Sequence, residues 1–191
     1  MTEEVEVKAR VEDIEGLVRK IEGIGGKLVR EVVQEDLYFT HPCRDLKEGD
    51  EALRLRREGK NYMLTFKGRR IGKGAKIREE LEVRVGDFDE TATLLKRLGF
   101  EKAFIIKKRR KEFVLNGVTI ALDSVEGLGE FVEIEVTTTG KSRRGGLHRM
   151  ESFKNRLLSM TDRLGIPRER LTTESYLELL ASKSSSSRPL R

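Results

Sequence analysis

The sequence predicts an α+β fold: a closed eight-stranded antiparallel β-barrel, open as a tunnel, with flanking helices and two pseudo-symmetric halves. Three observations predict it. Several segments alternate charged with apolar residues, as in Glu4-Val5-Glu6-Val7-Lys8, Arg54-Leu55-Arg56, Glu80-Leu81-Glu82 and Glu133-Ile134-Glu135. A strand turns successive side chains to opposite faces, so each segment has one ionic and one apolar face. Amphipathic helical stretches follow two of these strands, and the whole strand–helix–strand–hairpin order occurs twice.

Each element has its own signal. Residues 4–11 read as a strand. Asp13 offers an N-cap, and Ile14, Leu17, Val18, Ile21 and Ile24 follow at helical spacing until Gly25-Gly26. Residues 28–39 return as a long strand, and 41–50, with Pro42, form a loop. Residues 52–57 and 62–68 make a hairpin around Glu58-Gly59-Lys60-Asn61. The basic, Gly-rich stretch 69–76 reads as a loop, either a lid over substrate or a hairpin tip. A strand at 77–85 leads into a helix at 88–98, stopped by Gly99. Residues 104–115 and 118–122 form a second hairpin, turned by Asn116-Gly117. The last strand is 131–137. Beyond the basic loop 140–146 come helices at 147–164 and 173–181. The Ser-rich tail 182–191 reads as disordered, which leaves 1–181 as one tunnel domain.

The repeat aligns Glu4-Val-Glu-Val-Lys8, a helix and Gln34-Glu-Asp-Leu-Tyr-Phe39 with Glu80-Leu-Glu-Val-Arg84, a helix and Lys108-Arg-Arg-Lys-Glu-Phe113. Two like halves of about four antiparallel strands close into a barrel. The helices need apolar partners, and the strands offer Val5, Val7, Leu53, Leu55, Phe66, Leu81, Val83, Val132, Ile134 and Val136 on the faces opposite the charges. The helices therefore belong on the outside and the charges inside. An unpaired buried charge costs several kcal/mol, so the lumen must be wet, cross-paired or filled by ligand and metal.

Composition sets limits. The 191 residues are 38% charged and 37% hydrophobic, with a net charge of only +6. Acids that nearly balance bases argue against a nonspecific nucleic-acid coat. Cys43 is the single cysteine, so no intramolecular disulfide forms and a reducing compartment fits. No signal peptide and no apolar run of membrane-spanning length are present, and the expectation is a soluble cytoplasmic protein without a membrane partner. His41 and Cys43 flank Pro42, but no second Cys/His pair exists to complete a zinc set. Gly23-Ile24-Gly25-Gly26 follows a helix instead of opening one, so it is a helix end and not a phosphate loop.

The inward residue types carry chemistry. Carboxylates at i, i+2 on a strand have Cα atoms ~6.6 Å apart and can converge on hydrated Mg²⁺, which prefers oxygen ligands. Glu4, Glu6, Glu80, Glu82, Asp123, Glu133 and Glu135 supply that oxygen. Lys8, Arg54, Arg56, Lys67, Arg78, Lys108 and Arg110 supply what a triphosphate needs, arginine as a fork and lysine as a point charge. Phosphoryl and nucleotidyl transfer depend mainly on positioning and charge neutralisation, so such a lumen needs no covalent nucleophile.

Glu4-x-Glu6-x-Lys8 at the N-terminus resembles the E-x-E-x-K motif of the CYTH superfamily, the triphosphate tunnel metalloenzymes. The other motifs follow in order: Asp36-Leu-Tyr38-Phe39, Leu53-Arg54-Leu55-Arg56, Leu64-Thr65-Phe66-Lys67-Gly68, Arg78-x-Glu80-x-Glu82, Lys108-x-Arg110, and Leu122-Asp123 leading to Gly129-Glu130-Phe131-Val132-Glu133-Ile134-Glu135. The stretch from Tyr38 through Pro42 to Arg54 is most similar to the class IV adenylyl cyclase branch. The resemblance implies an eight-stranded tunnel, Mg²⁺ or Mn²⁺, a triphosphate substrate such as ATP, and a homodimer. It implies metal on Glu4, Glu6, Asp123, Glu133 and Glu135, with Glu80 and Glu82 as further tunnel carboxylates. Phosphates would meet Lys8, Arg54, Arg56, Lys67, Arg78, Lys108 and Arg110. Lys67 with Tyr38 resembles the pair proposed to activate water in thiamine triphosphatases.

Two reactions fit this resemblance. Cyclisation of ATP releases pyrophosphate after the ribose 3′-hydroxyl attacks the α-phosphorus. Hydrolysis has water attack the terminal phosphorus of tripolyphosphate, thiamine triphosphate or a nucleotide. A non-catalytic polyphosphate or nucleotide sensor is a third reading, disfavoured by the two intact glutamate sets. An RNA-binding module on the loops 69–76 and 141–144 is disfavoured by sparse aromatics.

Overall fold

The computed structural model describes residues 2–70, 76–139 and 146–186. Most of the two basic loops (71–75 and 140–145) and the tail residues 187–191 lie outside the described residues. The chain runs β1 (Thr2–Val11), α1 (Ile14–Gly23), β2 (Lys27–Thr40), β3 (Ala52–Glu58), β4 (Asn61–Lys67), β5 (Lys76–Val85), α2 (Phe88–Arg97), β6 (Glu101–Leu115), β7 (Val118–Val125), β8 (Gly129–Thr139), α3 (Gly146–Leu164), β9 (Leu171–Thr172) and α4 (Tyr176–Ser186). The first half, β1-α1-β2-β3-β4, is repeated in the second, β5-α2-β6-β7-β8, as the internal repeat predicts.

Strands pair in the order β5-β4-β3-β2-β6-β7-β8-β1, and pairing of β1 with β5 closes the ring. Every pairing is antiparallel. β5 follows β1 only from Thr2 to Glu6. Beyond that point the same edge is taken by β9, with Thr172 opposite Lys8 and Leu171 opposite Ala9. This two-residue strand has no periodicity to read and is absent from the sequence expectation. It covers an otherwise open edge and delivers α4 to one mouth of the barrel.

Local signals hold where they are strongest. The Asp13 carboxylate accepts from the Gly16 amide at 2.7 Å, and Asp87 accepts from Glu90 at 2.7 Å, so both helices of the repeat have side-chain N-caps. Asn116 and Gly117 have φ of 52° and 70°, the left-handed pair a two-residue hairpin requires.

Two apolar cores lie outside the barrel. In the larger, α1 and α3 place Leu17, Ile21, Leu157 and Leu164 on Val5, Val7, Ile120 and Ile134. In the other, α2 sets Phe88 and Leu95 on Leu37, Leu55 and partly buried Leu64 and Phe66. Each such side chain contributes ~1.5–3 kcal/mol on burial. Helix cover leaves the middle of β5 open, where Leu81 and Val83 face outward and are 49% and 52% exposed, while Ile77 and Val85 at its ends pack in the two cores. A third cluster sits inside one mouth. Tyr38, Ile106, Val125 and Phe131 share the inward register of the charged residues and receive Tyr176, Leu177 and Leu180 from α4. This helix runs to Ser186, so residues 182–186, expected as disordered tail, are helical. Among the described residues no helix is long and apolar enough to cross a membrane.

Candidate active site

The alternation that defines the strands turns Glu4, Glu6 and Lys8 of β1 inward, with Asp36 and Tyr38 of β2, Arg54 and Arg56 of β3, and Lys67 of β4. From the second half come Arg78, Glu80 and Glu82 of β5, Lys108 and Arg110 of β6, Asp123 of β7, and Glu133 and Glu135 of β8. All but Asp123 line one cavity of about 480 Å³. A second cavity, about 320 Å³, opens at the mouth away from α4 beside Arg30, Glu58, Met63, Glu82 and Arg84.

These charges sort into four groups. In the first, Asp123 accepts from Lys108 Nζ at 2.8 Å, Arg110 Nε at 2.7 Å, Arg110 Nη2 at 2.6 Å and the Tyr176 hydroxyl at 2.9 Å. Four donors fill a carboxylate. Arg110 also bonds Glu133, which takes Lys8 at 2.9 Å, and Lys8 lies 3.2 Å from Glu6. Burial opposes charge on Asp123 and Glu133, but Lys8, Lys108 and Arg110 override it and hold both below the usual carboxylate range. Lys108 goes the other way: burial and Arg110 push it down to about 8 despite Asp123 and Glu133.

In the second group, Asp36 accepts two bonds from Arg56, both 2.6 Å, and lies 3.9 Å from Arg54. Burial would raise Asp36, yet the two guanidinium groups hold it below its ordinary range. Arg54 continues to Thr65 at 3.2 Å and Glu82 at 3.5 Å. In the third, Glu4 sits between Glu80 and Glu135. Burial, and then Glu4, push both of these carboxyls up, Glu80 to about 7 and Glu135 well above the usual value. Lys67 pairs with Glu80 and lies 3.5 Å from Glu4. In the fourth, Asp50 bridges Arg78 at 2.6 Å and Arg70 at 2.8 Å, and Arg70 reaches Glu178 of α4 at 2.7 Å.

Two donors inside this lumen have no partner among the described residues. Arg54 Nε and Arg78 Nε are buried without a hydrogen bond, and both residues line the cavity. Buried polar groups in folded proteins are nearly always satisfied. Unmet guanidinium donors in a charged cavity match the oxygen atoms of a bound anion.

All seven expected phosphate contacts thus line one space. The expected metal ligands divide. Glu4 and Glu135 come together, joined by Glu80, while Glu6, Asp123 and Glu133 are engaged by Lys8, Lys108 and Arg110. Among the described residues no three His, Cys, Asp or Glu side chains stand at metal-coordinating spacing. The Glu4, Glu80 and Glu135 carboxyls nevertheless fit a divalent cation by chemistry: all donors are oxygen, and burial with crowding raises two of their pKa values even beside Lys67. Burial would lower the Lys67 ammonium, but Glu4 and Glu80 keep it charged, so in this state it can donate and not accept a proton. Tyr38 lies opposite Arg54 in register and packs under α4.

Sequence reading assigned no site role to Asp36, Asp50 or Tyr176, and placed Arg70 only in a loop that was either a lid over substrate or a hairpin tip. Asp36 was visible by its inward parity with Tyr38. Asp50 and Arg70 lie in loops and Tyr176 on a helix, where strand alternation says nothing. His41 is set edge-on to Phe100 and accepts from the Cys43 amide, as loop residues do. The outward bases of β6 do not form a bare basic stripe, because Lys111, Arg109 and Lys107 stand opposite Glu31, Val33 and Glu35.

A family model described as the CYTH domain matches residues 2–176. A Methanocaldococcus jannaschii protein provisionally named an adenylate cyclase is 34% identical over 176 residues, 92% of this chain and 97% of its own. Adenylate cyclase CyaB of Aeromonas hydrophila is 26% identical over 177 residues, 92% of this chain and 87% of its own. Among solved structures, one Pyrococcus horikoshii protein superposes with a TM-score of 0.78 at 38% identity, covering 94% of this chain and 99% of that one. With its ring of eight antiparallel strands, its ionic lumen and a family match over nearly its whole length, this chain belongs to the CYTH domain family.

Proposed function

We propose that the protein is a metal-dependent enzyme that binds a triphosphate in the tunnel and acts as a class IV adenylyl cyclase, converting ATP to cyclic AMP and pyrophosphate. The observation that carries the reading is the pair of unmet donors, Arg54 Nε and Arg78 Nε, in a cavity lined by nine cationic side chains. The names of the Methanocaldococcus and Aeromonas relatives support the cyclase assignment.

Arg54, Arg56, Arg78 and Arg110 present planar forks, and Lys8, Lys67 and Lys108 present point charges, so phosphates are held from several walls at once. Glu4, Glu80 and Glu135 would hold Mg²⁺ or Mn²⁺, which when bound neutralises phosphate charge and lowers the barrier to attack. Lys67, kept charged, stabilises developing negative charge and does not serve as the base. Burial and Glu4 push Glu80 up to about 7 while no cation is bound; a metal ion held there would restore its charge, so Glu80 acts as a metal ligand and not as the base. Hydrolysis is the second reading, because a triphosphate held by these cations and a metal ion is open to attack by water as well as by a ribose hydroxyl.

Product analysis by phosphorus NMR tests this, with Mg²⁺ or Mn²⁺ and either ATP or tripolyphosphate. Cyclic AMP with pyrophosphate is the expected outcome. Orthophosphate without a cyclic product would replace the cyclase with a triphosphatase. Tight metal-free binding with no turnover would reduce the protein to a sensor.

A further inference from the structure

The helix that closes the barrel also reaches into the phosphate site. Tyr176, the first residue of α4, is only 6% exposed and lines the same cavity as the cations. Its ring centroid lies 4.1 Å from Lys8 Nζ and 4.9 Å from Lys108 Nζ. Two contacts fix the ring: its hydroxyl donates to Asp123 at 2.9 Å and Phe131 meets it edge-on at 5.1 Å. Lys8 Nζ also donates to the Glu174 carbonyl, two residues before it, at 3.3 Å. Leu177 and Leu180 pack beside it in the same cluster.

From this geometry we infer that Tyr176 is a positioning residue of the triphosphate site, its ring orienting the Lys8 and Lys108 ammonium groups toward bound phosphate. The inference rests on the triphosphate reading above. Two ammonium groups drawn to one site repel each other. A carboxylate between them would relieve that repulsion but would also claim their N–H donors. An aromatic ring attracts a cation through its electron-rich face without claiming an N–H donor, so phosphate need displace only the bonds these lysines make to Glu133, Glu6, Asp123 and the Glu174 carbonyl. The hydroxyl is the lesser part of the device, since Asp123 keeps three other bonds, from Lys108 and Arg110, without it.

Titration calorimetry with tripolyphosphate tests the inference on the full chain and three variants. Tyr176→Phe keeps the ring and should bind within about twofold of the parent. Tyr176→Leu loses the ring and should bind about tenfold more weakly, the scale of a desolvated cation–π contact. Leu180→Ala loosens α4 but leaves the ring, so its melting temperature should fall while its affinity stays within about twofold. Parent-like binding by Tyr176→Leu would overturn the inference. So would an equal loss in Leu180→Ala, which would make Tyr176 no more than helix packing.

A measurement on the unmutated protein stands apart from variant folding and from the triphosphate reading itself. The ring current should displace the side-chain methylene protons of Lys8 and Lys108 upfield of the other lysines. Lysine resonances all at ordinary positions would refute the seating of the ring. A parent that binds no tripolyphosphate, with those resonances displaced, would sink the triphosphate reading and leave the ring–lysine contact without its phosphate role.

Discussion

Asp36 offers the sharpest test of how this lumen is held together. It is 2% exposed and accepts two 2.6 Å bonds from Arg56, with Arg54 3.9 Å away. Asp36→Asn preserves shape and one acceptor but deletes the charge. Removing one partner of a buried ion pair costs ~3–5 kcal/mol. The Arg56 side chain is 16% exposed and can recruit water, so the low end, ~3 kcal/mol, applies. In a domain of this size each kcal/mol moves the melting temperature by ~2–4 °C, and the metal- and ligand-free variant should therefore melt ~6–12 °C below the parent.

Added tripolyphosphate should reverse much of that loss. In the parent, Asp36 holds Nε and one terminal nitrogen of Arg56, and phosphate must compete for them. In Asp36→Asn one of them is released to the ligand and the other keeps only a neutral amide partner. If affinity rises about tenfold, saturating ligand adds ~1.4 kcal/mol through linkage, or ~3–6 °C more upshift than the parent shows. Thermal denaturation followed by circular dichroism, with and without tripolyphosphate, reads both quantities. An unchanged melting temperature without ligand would show that Asp36 bears no structural charge. A ligand upshift smaller than the parent's would refute the competition and make Asp36 an organiser of Arg56 for phosphate.

Other perturbations follow from the same groups. Arg56→Ala should weaken tripolyphosphate binding by about 10- to 100-fold, the worth of a hydrogen bond to a charged group, and orthophosphate binding far less; equal losses by calorimetry would describe a nonspecific anion surface. Glu135→Gln relieves the carboxylate crowding around Glu4, so the metal-free melting temperature should rise while the Mn²⁺-induced upshift shrinks. A fall without metal would mean that Glu135 is paired and not crowded. Asp36, Asp123 and Glu133 are held below their ordinary pKa values, so in acid the unfolded chain binds more protons than the folded one. Stability from these groups is complete above about pH 4–5 and is lost as pH falls further. Urea midpoints from pH 6 to pH 3 should drop steeply in the parent and less in Asp36→Asn.

Period-two alternation made the barrel legible, because it says which side chains share a face and a closed sheet leaves only two faces. The same logic placed every expected phosphate contact in the lumen. It could not say which anion each cation meets. Glu6, Glu133 and Glu135 share one face, yet Glu133 is claimed by Lys8 and Arg110 while Glu135 crowds Glu4. Barrel stagger sets that choice, and stagger follows from register, which single-strand patterns do not contain. α4 was legible as a helix but not as a participant: Ser182 and the serines after it read as tail composition, and Tyr176 carries no strand parity. β9 is too short for any pattern.

A lumen filled with ions is a poor way to stabilise a fold, because buried ion pairs rarely outperform apolar side chains of the same size. Here the burden is carried outside, by the cores under α1, α3 and α2, and that frees the interior from packing. The interior pairs are also incomplete in a patterned way. Asp123 is saturated by four donors, so the wall made by Lys108 and Arg110 is rigid and preorganised. Among the described residues Arg54 and Arg78 each retain an unmet Nε, while burial and mutual crowding push Glu80 and Glu135 toward their protonated forms. One wall thus has guanidinium donors to spare, and another has carboxyls that a cation would return to full charge. A metal-bound polyphosphate supplies anion and cation together, and neither a lone phosphate nor a lone metal ion does. This is the strongest physical reason to seek a substrate that brings its own divalent ion.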